Sequence, residues 1–369
     1  MTQTINRFDH VGSYLRPDYL LEAREKNEAG EITDTELREV ENKAILNLIK
    51  KQEEVGLKTI TDGEFRRASW HCDFFWGFDG VDKITDEPNG SKFEGKVYGI
   101  TARLSGKISG DNHPFIEDWK FTRDHASDDV DVKLTIPAPA QFVQEALREI
   151  NIEATKKYYA SLEDLVEDTI ASYSTFVNEA YEAGLKTLQF DDCTWGRIIS
   201  GKDHTGKQYT DEELNGHKEL FLKLNNGVIE NAPAGLTVNT HVCRGNFAST
   251  WFASGAYNSV ANPLFTDENV NTYYLEYDSD RAGGFEPLAE VSGIKNVVLG
   301  LATSKDGKLE DKEALKARIK EAAGFVPLNR LGISTQCGFS SNSIGNKLSE
   351  EDQGKKISVL KEVAEEVWG

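Results

Sequence analysis

Short hydrophobic runs alternate along the chain with longer stretches in which apolar residues recur every three or four positions. The short runs have the length and the β-branched and aromatic content of buried strands, and the longer stretches have the period of amphipathic helices. This alternation is typical of a parallel sheet whose strands are joined by helices. The eight predicted strands are Phe8–Leu15, Thr59–Glu64, Val132–Pro137, Thr187–Asp192, Leu236–Cys243, Thr272–Asp278, Asn296–Thr303 and Leu331–Phe339.

Helical spacing is clearest in Thr33–Val55, where Asp34 is the predicted N-terminal cap. The same spacing is found in Leu162–Ala183, Asp211–Val228, Asp311–Ala323 and Glu350–Val367. Eight strands that alternate with helices, without an early glycine-rich dinucleotide fingerprint, favour a closed barrel over an open doubly wound sheet. The pattern therefore predicts an α/β protein with a (β/α)8 TIM-barrel fold.

One stretch breaks this alternation. The segment Ser91–Asp131 contains KFEGKVYGITARLSGKISG, in which polar and apolar side chains alternate as they do in an antiparallel hairpin. We predict a β-hairpin insertion at about residues 85–131. No low-complexity linker or internal repeat marks a second domain, so residues 1–369 are predicted to form one catalytic barrel domain.

Composition excludes several classes of partner. Hydrophobic residues make up 38% of the chain, enough for a large core, and the formal net charge is -20 without any Lys/Arg-rich run, so nucleic acid is not an expected partner. No signal-like N-terminus and no stretch of eighteen apolar residues is found, so no membrane association is expected and a cytoplasmic location is predicted. The assembly state stays open, with a homodimer as one option.

Candidate metal ligands fall where predicted strands end. The carboxyl ends of barrel strands converge on one rim, so side chains at the ends of the fifth, sixth and eighth strands would meet there. The His-x-Cys spacing in THVCRGN places two side chains on the same strand face, about 6.6 Å apart. One nitrogen, two thiolates and one carboxylate form a tetrahedral set suited to zinc. The four residues are His241, Cys243, Glu276 and Cys337.

The charge of this set indicates the type of reaction. Two thiolates and a carboxylate leave a zinc dication with a net charge of roughly minus one, which disfavours water activation but allows an incoming thiol to lose its proton. A lone buried cysteine more often packs than binds metal, but four matched ligands reverse those odds. The remaining cysteines, Cys72 and Cys193, lack such partners and are predicted non-ligands.

Three more polar residues close predicted strands, namely Ser13, Glu64 and Asp191. The carboxylates would bind the ammonium of an amino-acid substrate, and the hydroxyl with nearby N–H groups would bind its carboxylate. The alternative is that Glu64 pairs with Arg66 or Arg67 and that Asp191 caps a helix. Tryptophans in predicted loops near this rim could stack on a flat ring, although core packing is their commoner role. These are Trp70, Trp76, Trp195 and Trp251.

The motifs HVGS, DGE, LQFDD, HVCRGN, YLEYD and STQCGF together resemble the cobalamin-independent methionine synthase family, from Phe8 to about Asn346. The chain is most similar to its short single-barrel members, which resemble the C-terminal catalytic half of the full-length enzyme. The resemblance implies zinc as cofactor, bound by His241, Cys243, Glu276 and Cys337. It further implies a homocysteine site with Glu64 and Asp191 in the catalytic role, and its residues would be Gly12, Ser13, Glu64 and Asp191.

The resemblance implies zinc-dependent transfer of a methyl group to the thiol of homocysteine, which gives methionine. The donor would be 5-methyltetrahydrofolate or an alternative such as a methylated corrinoid or a sulfonium compound. Full-length members have a proton-transfer histidine in the loop after strand seven, where this chain has GLATSK. Two other functions stay open: alkyl transfer to a different thiol such as coenzyme M, and zinc binding without catalysis.

Overall fold

The structure is a computed structural model that describes residues 5–88, 91–93, 96–202 and 206–369, with backbone alone for 91–93 and 96–98. Parallel strands alternate with helices from the first strand to the last. The strands are β1 (Phe8–Asp9), β2 (Thr59–Ile60), β3 (Asp79–Ile84), β4 (Ser91–Phe93), β5 (Lys96–Tyr98), β6 (Thr101–Ser109), β7 (Asp131–Val132), β8 (Leu134–Pro137), β9 (Thr187–Asp192), β10 (Thr237–Val242), β11 (Thr272–Glu276), β12 (Asn296–Ala302) and β13 (Leu331–Thr335).

The parallel strands close into a barrel. Seven of them pair in the order β1-β13-β12-β11-β10-β9-β8, and β2 pairs with β7, which leads through Lys133 into β8. The step from β1 to β2 is bridged just beyond both strands, where Thr61 Oγ1 donates to the Gly12 carbonyl at 2.8 Å and Tyr14 N donates to the Gly63 carbonyl at 3.1 Å. Because β7 and β8 are two parts of one run, the barrel has eight strands, and the predicted fold is confirmed.

Several strands are shorter than the hydrophobic runs predict. The run Phe8–Leu15 contributes only Phe8–Asp9 to the sheet, and β13 ends at Thr335, although the predicted strand extends to Phe339. In the second run the backbone turns at Gly63 and Glu64, which have φ values of 69° and 59°. A positive φ interrupts a ladder, so the residues that follow β2 leave the sheet and form a rim loop.

Helices cover the outside of the barrel and bury their apolar faces against the strands. The predicted cap of the second helix was wrong: Thr33, not Asp34, accepts from the Glu36 amide, and the Glu36 side chain accepts from Thr33 in return. The helices are α1 (Asp18–Glu28), α2 (Asp34–Val55), α3 (Cys72–Phe75), α4 (Phe115–His125), α5 (Pro139–Ala146), α6 (Ile152–Tyr158), α7 (Leu162–Glu182), α8 (Thr194–Ser200), α9 (Asp211–Glu230), α10 (Asn258–Asp267), α11 (Lys312–Ala322) and α12 (Glu350–Trp368). Among the described residues, no helix is long and apolar enough to cross a membrane.

An antiparallel hairpin stands between the second and third barrel strands. β3 pairs with β6, and the shorter β4 pairs with β5 at the end of the same excursion. The first of these strands begins at Asp79, before the expected start of the insertion, and α4 leads from the hairpin back to the barrel. The hairpin brings Ile100 to the wall of a cavity at the barrel mouth.

Two buried carboxyl groups do not line this cavity: Asp192 at the end of β9 and Glu268 directly after α10. The Asn225 amide donates to Asp192 and to Glu268, each at 2.8 Å. Burial, with the nearby Asp192 charge, raises the pKa of Glu268 to about 8 from an ordinary value of 4.5. The folded protein therefore keeps a proton that the unfolded chain releases above pH 4.5, so the stability associated with this proton is lost as the pH rises towards 8.

Replacing Glu268 with glutamine is expected to flatten the pH dependence of thermal stability. The wild-type midpoint should fall more steeply than that of Glu268→Gln between pH 6 and 8, because a fully retained proton contributes a slope of about 1.4 kcal/mol per pH unit. Thermal unfolding at closely spaced pH values measures both slopes. Glu182→Gln, a change of an exposed carboxylate on α7, serves as the control. Parallel curves for wild type and Glu268→Gln would contradict the assignment.

Candidate metal and substrate site

The four predicted metal ligands meet at the C-terminal rim of the barrel. His241 lies in β10, and Cys243 is the first residue after that strand. Glu276 is the last residue of β11, and Cys337 lies two residues beyond β13. One ligand atom from each lies within 4.8 Å of the others, and all four residues are buried. The two sulfur atoms are 3.9 Å apart. Two sulfurs bound tetrahedrally to one zinc at about 2.3 Å would be separated by about 3.8 Å, so the spacing fits that ion.

The histidine ring is oriented for metal binding. His241 Nδ1 lies 3.2 Å from the Tyr274 carbonyl, which can only accept a hydrogen bond and so places the ring proton on that nitrogen. The other nitrogen, Nε2, is buried and has no hydrogen-bond partner among the described residues. An orphaned buried acceptor beside two thiols and a carboxylate is the arrangement that a zinc ion would satisfy.

Burial and contacts among the members of the cluster shift their pKa values. The contact with Cys243, together with burial, raises the pKa of the Cys337 thiol well above its usual value. Burial alone would lower the pKa of His241, but the contact with Cys337 and the nearby Glu276 carboxylate outweigh burial and raise that pKa. A positive ion bound here would displace protons from these groups, so any metal affinity of the cluster is expected to rise with pH.

Glu276 differs from the other three residues because both of its oxygen atoms already accept hydrogen bonds. Oε1 accepts from the Arg244 amide at 2.7 Å, and Oε2 accepts from the Arg281 guanidinium at 2.8 Å. The Arg281 side chain also donates to Asp278 at 2.7 Å. Each oxygen of this carboxylate therefore already has one hydrogen-bond donor from the protein.

A cavity of about 820 Å³ opens from this cluster towards the barrel mouth. Its inner wall contains three of the ligands together with Ser13, Glu64 and Asp191. Gly12 is not part of the wall but lies beneath it: a Cβ at this position would come within 3.0 Å of Glu64 Oε1 and of the Thr135 side chain. The residues predicted to bind the substrate therefore lie beside the cluster of candidate metal ligands.

The acidic pair has an unusual electrostatic environment. Burial raises the pKa of Glu64 and that of Asp191 to about 7 each, and the Asp191 charge further raises the pKa of Glu64. Thr135 donates to Glu64 Oε1 at 3.0 Å, while Oε2 is buried and has no partner among the described residues. Gln189 donates to Asp191 Oδ1 at 2.8 Å. Two carboxyl groups with pKa values near neutrality can lose their protons to solvent when a cation binds beside them.

The alternative roles predicted for Glu64 and Asp191 were an ion pair with Arg66 or Arg67 and a helix cap, and the structure shows them only in part. Arg67 lies 3.7 Å from Glu64, a loose ion pair, whereas Arg66 pairs with Glu41 and Asp118 instead. The N-cap residue of α8 is Cys193, which makes no side-chain cap hydrogen bond, while Asp192 Oδ1 accepts from the Thr194 amide at 2.7 Å. Asp191 does not cap that helix, and its carboxylate faces the cavity.

The outer half of the cavity is built from residues that motif analysis largely missed. Trp70, a predicted rim tryptophan, lines this cavity. Trp195 is instead fully buried in α8 against Phe221, which corrects its assignment to a loop. Cys193 lines the cavity, although the cluster of candidate ligands does not include it. Most other wall residues lie on helices or in loops without a recognisable motif, among them His71, Gln141, Glu145, Arg148 and Arg197.

The loop after β12 supports the ligand strands. Lys305 is buried and donates to Asn246 Oδ1 at 3.0 Å and to the Thr250 carbonyl at 3.2 Å. Asn246 in turn donates to the Gly338 carbonyl at 2.7 Å, directly after Cys337. Lys305 and Asn246 therefore connect the loop after Cys243 with the loop after Cys337.

Comparison with known proteins places the chain in a family. No family model matches it. The uncharacterized protein YxjH of Bacillus subtilis is 39% identical over 98% of this chain and 94% of its own length. A Listeria monocytogenes structure, provisionally named a vitamin-B12-independent methionine synthase, matches with a TM-score of 0.76 and 35% identity over 99% of this chain and 98% of that one. The methionine synthase of Saccharolobus solfataricus is 22% identical over 97% of this chain and 94% of its own length.

Fold and site together define a (β/α)8 barrel protein with a cysteine-containing cluster of candidate metal ligands at its C-terminal rim. The chain belongs to the cobalamin-independent methionine synthase family, which confirms the resemblance drawn from its motifs. Its named relatives are methionine synthases, so methyl transfer is the class of activity that membership indicates.

Proposed function

We propose that this protein is a zinc-dependent methyltransferase that methylates the thiol of homocysteine and releases methionine. The observation that carries the proposal is the juxtaposition, in one cavity, of a four-ligand sulfur-rich cluster and a buried pair of carboxyl groups. The cluster suits a thiol, and the carboxyl pair suits the ammonium of an amino acid. Homocysteine has both groups in one small molecule.

The protein's own residues would fix the substrate at both ends. Glu64 and Asp191 would bind the ammonium, with the unpartnered Glu64 Oε2 available to accept from it. Ser13 stands beside the strand-eight loop, where its hydroxyl accepts from the Ser340 amide at 3.2 Å and could turn its proton to a substrate carboxylate. Coenzyme M has a sulfonate in place of the amino-acid group, and two carboxylates would repel it.

The reacting sulfur would lie next to the ligand cluster. When bound there, zinc would lower the pKa of the substrate thiol so that it reacts as a thiolate at neutral pH. The sulfur then forms a bond to the donor methyl carbon, and the bond from that carbon to its former atom breaks. With 5-methyltetrahydrofolate, the electron pair would pass to the pterin nitrogen, which takes up one proton.

The outer half of the cavity is the proposed donor site. A volume of about 820 Å³ accommodates an amino acid together with a pterin-sized ring system. Trp70 offers an aromatic surface, and the hydrogen-bonding groups of Gln141 and Arg197 line the same wall. A folate is therefore the preferred donor, because its flat pterin ring can stack on Trp70 and hydrogen-bond to these polar groups.

X-ray absorption at the zinc edge is the experiment that tests the proposal. The purified protein should contain about one zinc per chain by elemental analysis, bound by two sulfurs and two lighter atoms. Homocysteine should add a sulfur neighbour at about 2.3 Å and remove an oxygen. The control is homoserine, which has a hydroxyl in place of the thiol and should leave two sulfurs. A shell that homocysteine leaves unchanged would reject homocysteine as the methyl acceptor.

A further inference from the structure

We propose that Arg281 is a positioning residue that makes Glu276 the exchangeable member of the ligand cluster. The inference rests on the proposed function, because it concerns the same four residues as a zinc site. His241 and the two cysteines reach the cluster with a free nitrogen or a thiol, whereas Glu276 is already bonded at both oxygens.

The contact between Arg281 and Glu276 is a buried, charge-assisted hydrogen bond. The guanidinium is 2.8 Å from Glu276 Oε2, the arginine side chain is 8% exposed, and the glutamate side chain is fully buried. A charge-assisted bond in such surroundings is poorly screened by solvent. The guanidinium therefore competes with any cation for the same carboxylate.

The position of Arg281 is fixed independently of Glu276. It lies in a short 3-10 helix, Asp280–Ala282, and its carbonyl accepts from the Gly255 amide at 2.8 Å. Its side chain also bonds Asp278 and packs over the Trp251 ring at 5.0 Å. These contacts hold the guanidinium in place. Glu276 can therefore bind a metal only by moving its carboxylate or by sharing an oxygen between the metal and Arg281, while Arg281 need not move.

Two effects on metal binding follow. The positive charge of Arg281 reduces the negative charge that Glu276 presents to a dication, and it repels that dication directly. When a substrate thiol takes the place of Glu276, the released carboxylate keeps two hydrogen bonds and its counter-charge. A buried carboxylate without such partners would resist displacement, because leaving it unpaired is costly.

Zinc affinity of the metal-free protein tests this assignment without any turnover. Arg281→Gln should bind zinc about tenfold more tightly than wild type in competition with a chelator, in line with the size of outer-shell effects. The same variant should bind homocysteine more weakly, by a similar factor, because the thiol must displace a tighter ligand. Arg281→Lys retains the charge and should restore most of the wild-type behaviour.

Two further variants keep the test decisive. Trp251→Leu removes the stacking partner but leaves the arginine–glutamate contact, so its zinc affinity should equal that of wild type. If Arg281→Gln folds poorly, the double variant Arg281→Gln with Asp278→Asn preserves the local net charge and should still bind zinc more tightly.

The outcomes separate the two proposals. Unchanged or weaker zinc binding in Arg281→Gln, as for an ordinary supporting residue, would overturn the role of Arg281. Zinc binding that is tighter in Arg281→Gln supports that role even if homocysteine leaves the wild-type zinc shell unchanged, a result that would reject only homocysteine as the acceptor.

Discussion

Alanine at position 337 is expected to abolish stoichiometric zinc binding and methyl transfer while the barrel stays folded. Cys337 provides one of two sulfurs that are 3.9 Å apart, and its removal leaves three ligands of which one, Glu276, is already bonded by protein donors. Loss of a direct ligand should weaken zinc binding by at least about 100-fold, since changes in outer-shell partners alone cost 10- to 100-fold.

Elemental analysis after dialysis against a weak chelator measures this loss, and circular dichroism verifies the fold. Cys72→Ala is the matched control, because Cys72 is equally buried but lies on α3, outside the ligand cluster. The control should keep one zinc per chain. A Cys337→Ala protein that retains its full zinc content would disprove the ligand assignment.

The second large effect is expected at the acidic pair. Glu64→Gln and Asp191→Asn should each weaken homocysteine binding by about 100-fold, because each removes a charge-assisted hydrogen bond to the substrate ammonium, with a contribution of roughly 2–3 kcal/mol. Zinc content should stay at one per chain in both variants, since neither residue belongs to the ligand cluster. Isothermal titration calorimetry on zinc-loaded protein measures the affinity.

The same pair predicts how binding depends on pH. Both pKa values are raised to about 7 in the free protein, so near pH 6 the pair is largely protonated and must lose protons to bind an ammonium. Homocysteine affinity should therefore rise between pH 6 and 8, with net proton release that calorimetry detects as a dependence on buffer ionisation enthalpy. In Glu64→Gln the release should be smaller.

Glu149→Gln is the control for these variants, because Glu149 lines the outer part of the same cavity but is exposed. Its homocysteine affinity and its proton release should match wild type. If Glu64→Gln and Asp191→Asn both bind homocysteine as wild type does, the carboxyl pair is not the ammonium site.

Period and motif determined the fold class and much of the site. Eight hydrophobic runs separated by helical patterns were sufficient for the barrel, because each barrel unit buries a strand beneath an amphipathic helix and leaves this signature in the local sequence. His241, Cys243, Glu276 and Cys337 could be grouped since strand ends of a parallel barrel must converge. Their family motifs supported the same grouping, and the three-dimensional positions agree with it.

Other features depended on contacts between segments that are distant in sequence. The short extent of β1 and β13 could not be read from apolar runs, because hydrophobicity reports burial and not ladder hydrogen bonding, and the rim loops are buried as well. Arg281 follows Glu276 by five residues, a spacing that is unremarkable in sequence. Only the folded chain turns its guanidinium back onto that carboxylate.

The sequence by itself thus determined the barrel, the candidate ligand set and the two acidic residues that line the cavity, because side-chain type and strand position are local properties. The tertiary structure alone decided the raised pKa values of Glu64 and Asp191, the shape of the outer cavity and the double hydrogen bonding of Glu276. These properties arise from burial and from through-space contacts, which have no signature in the order of residues along the chain.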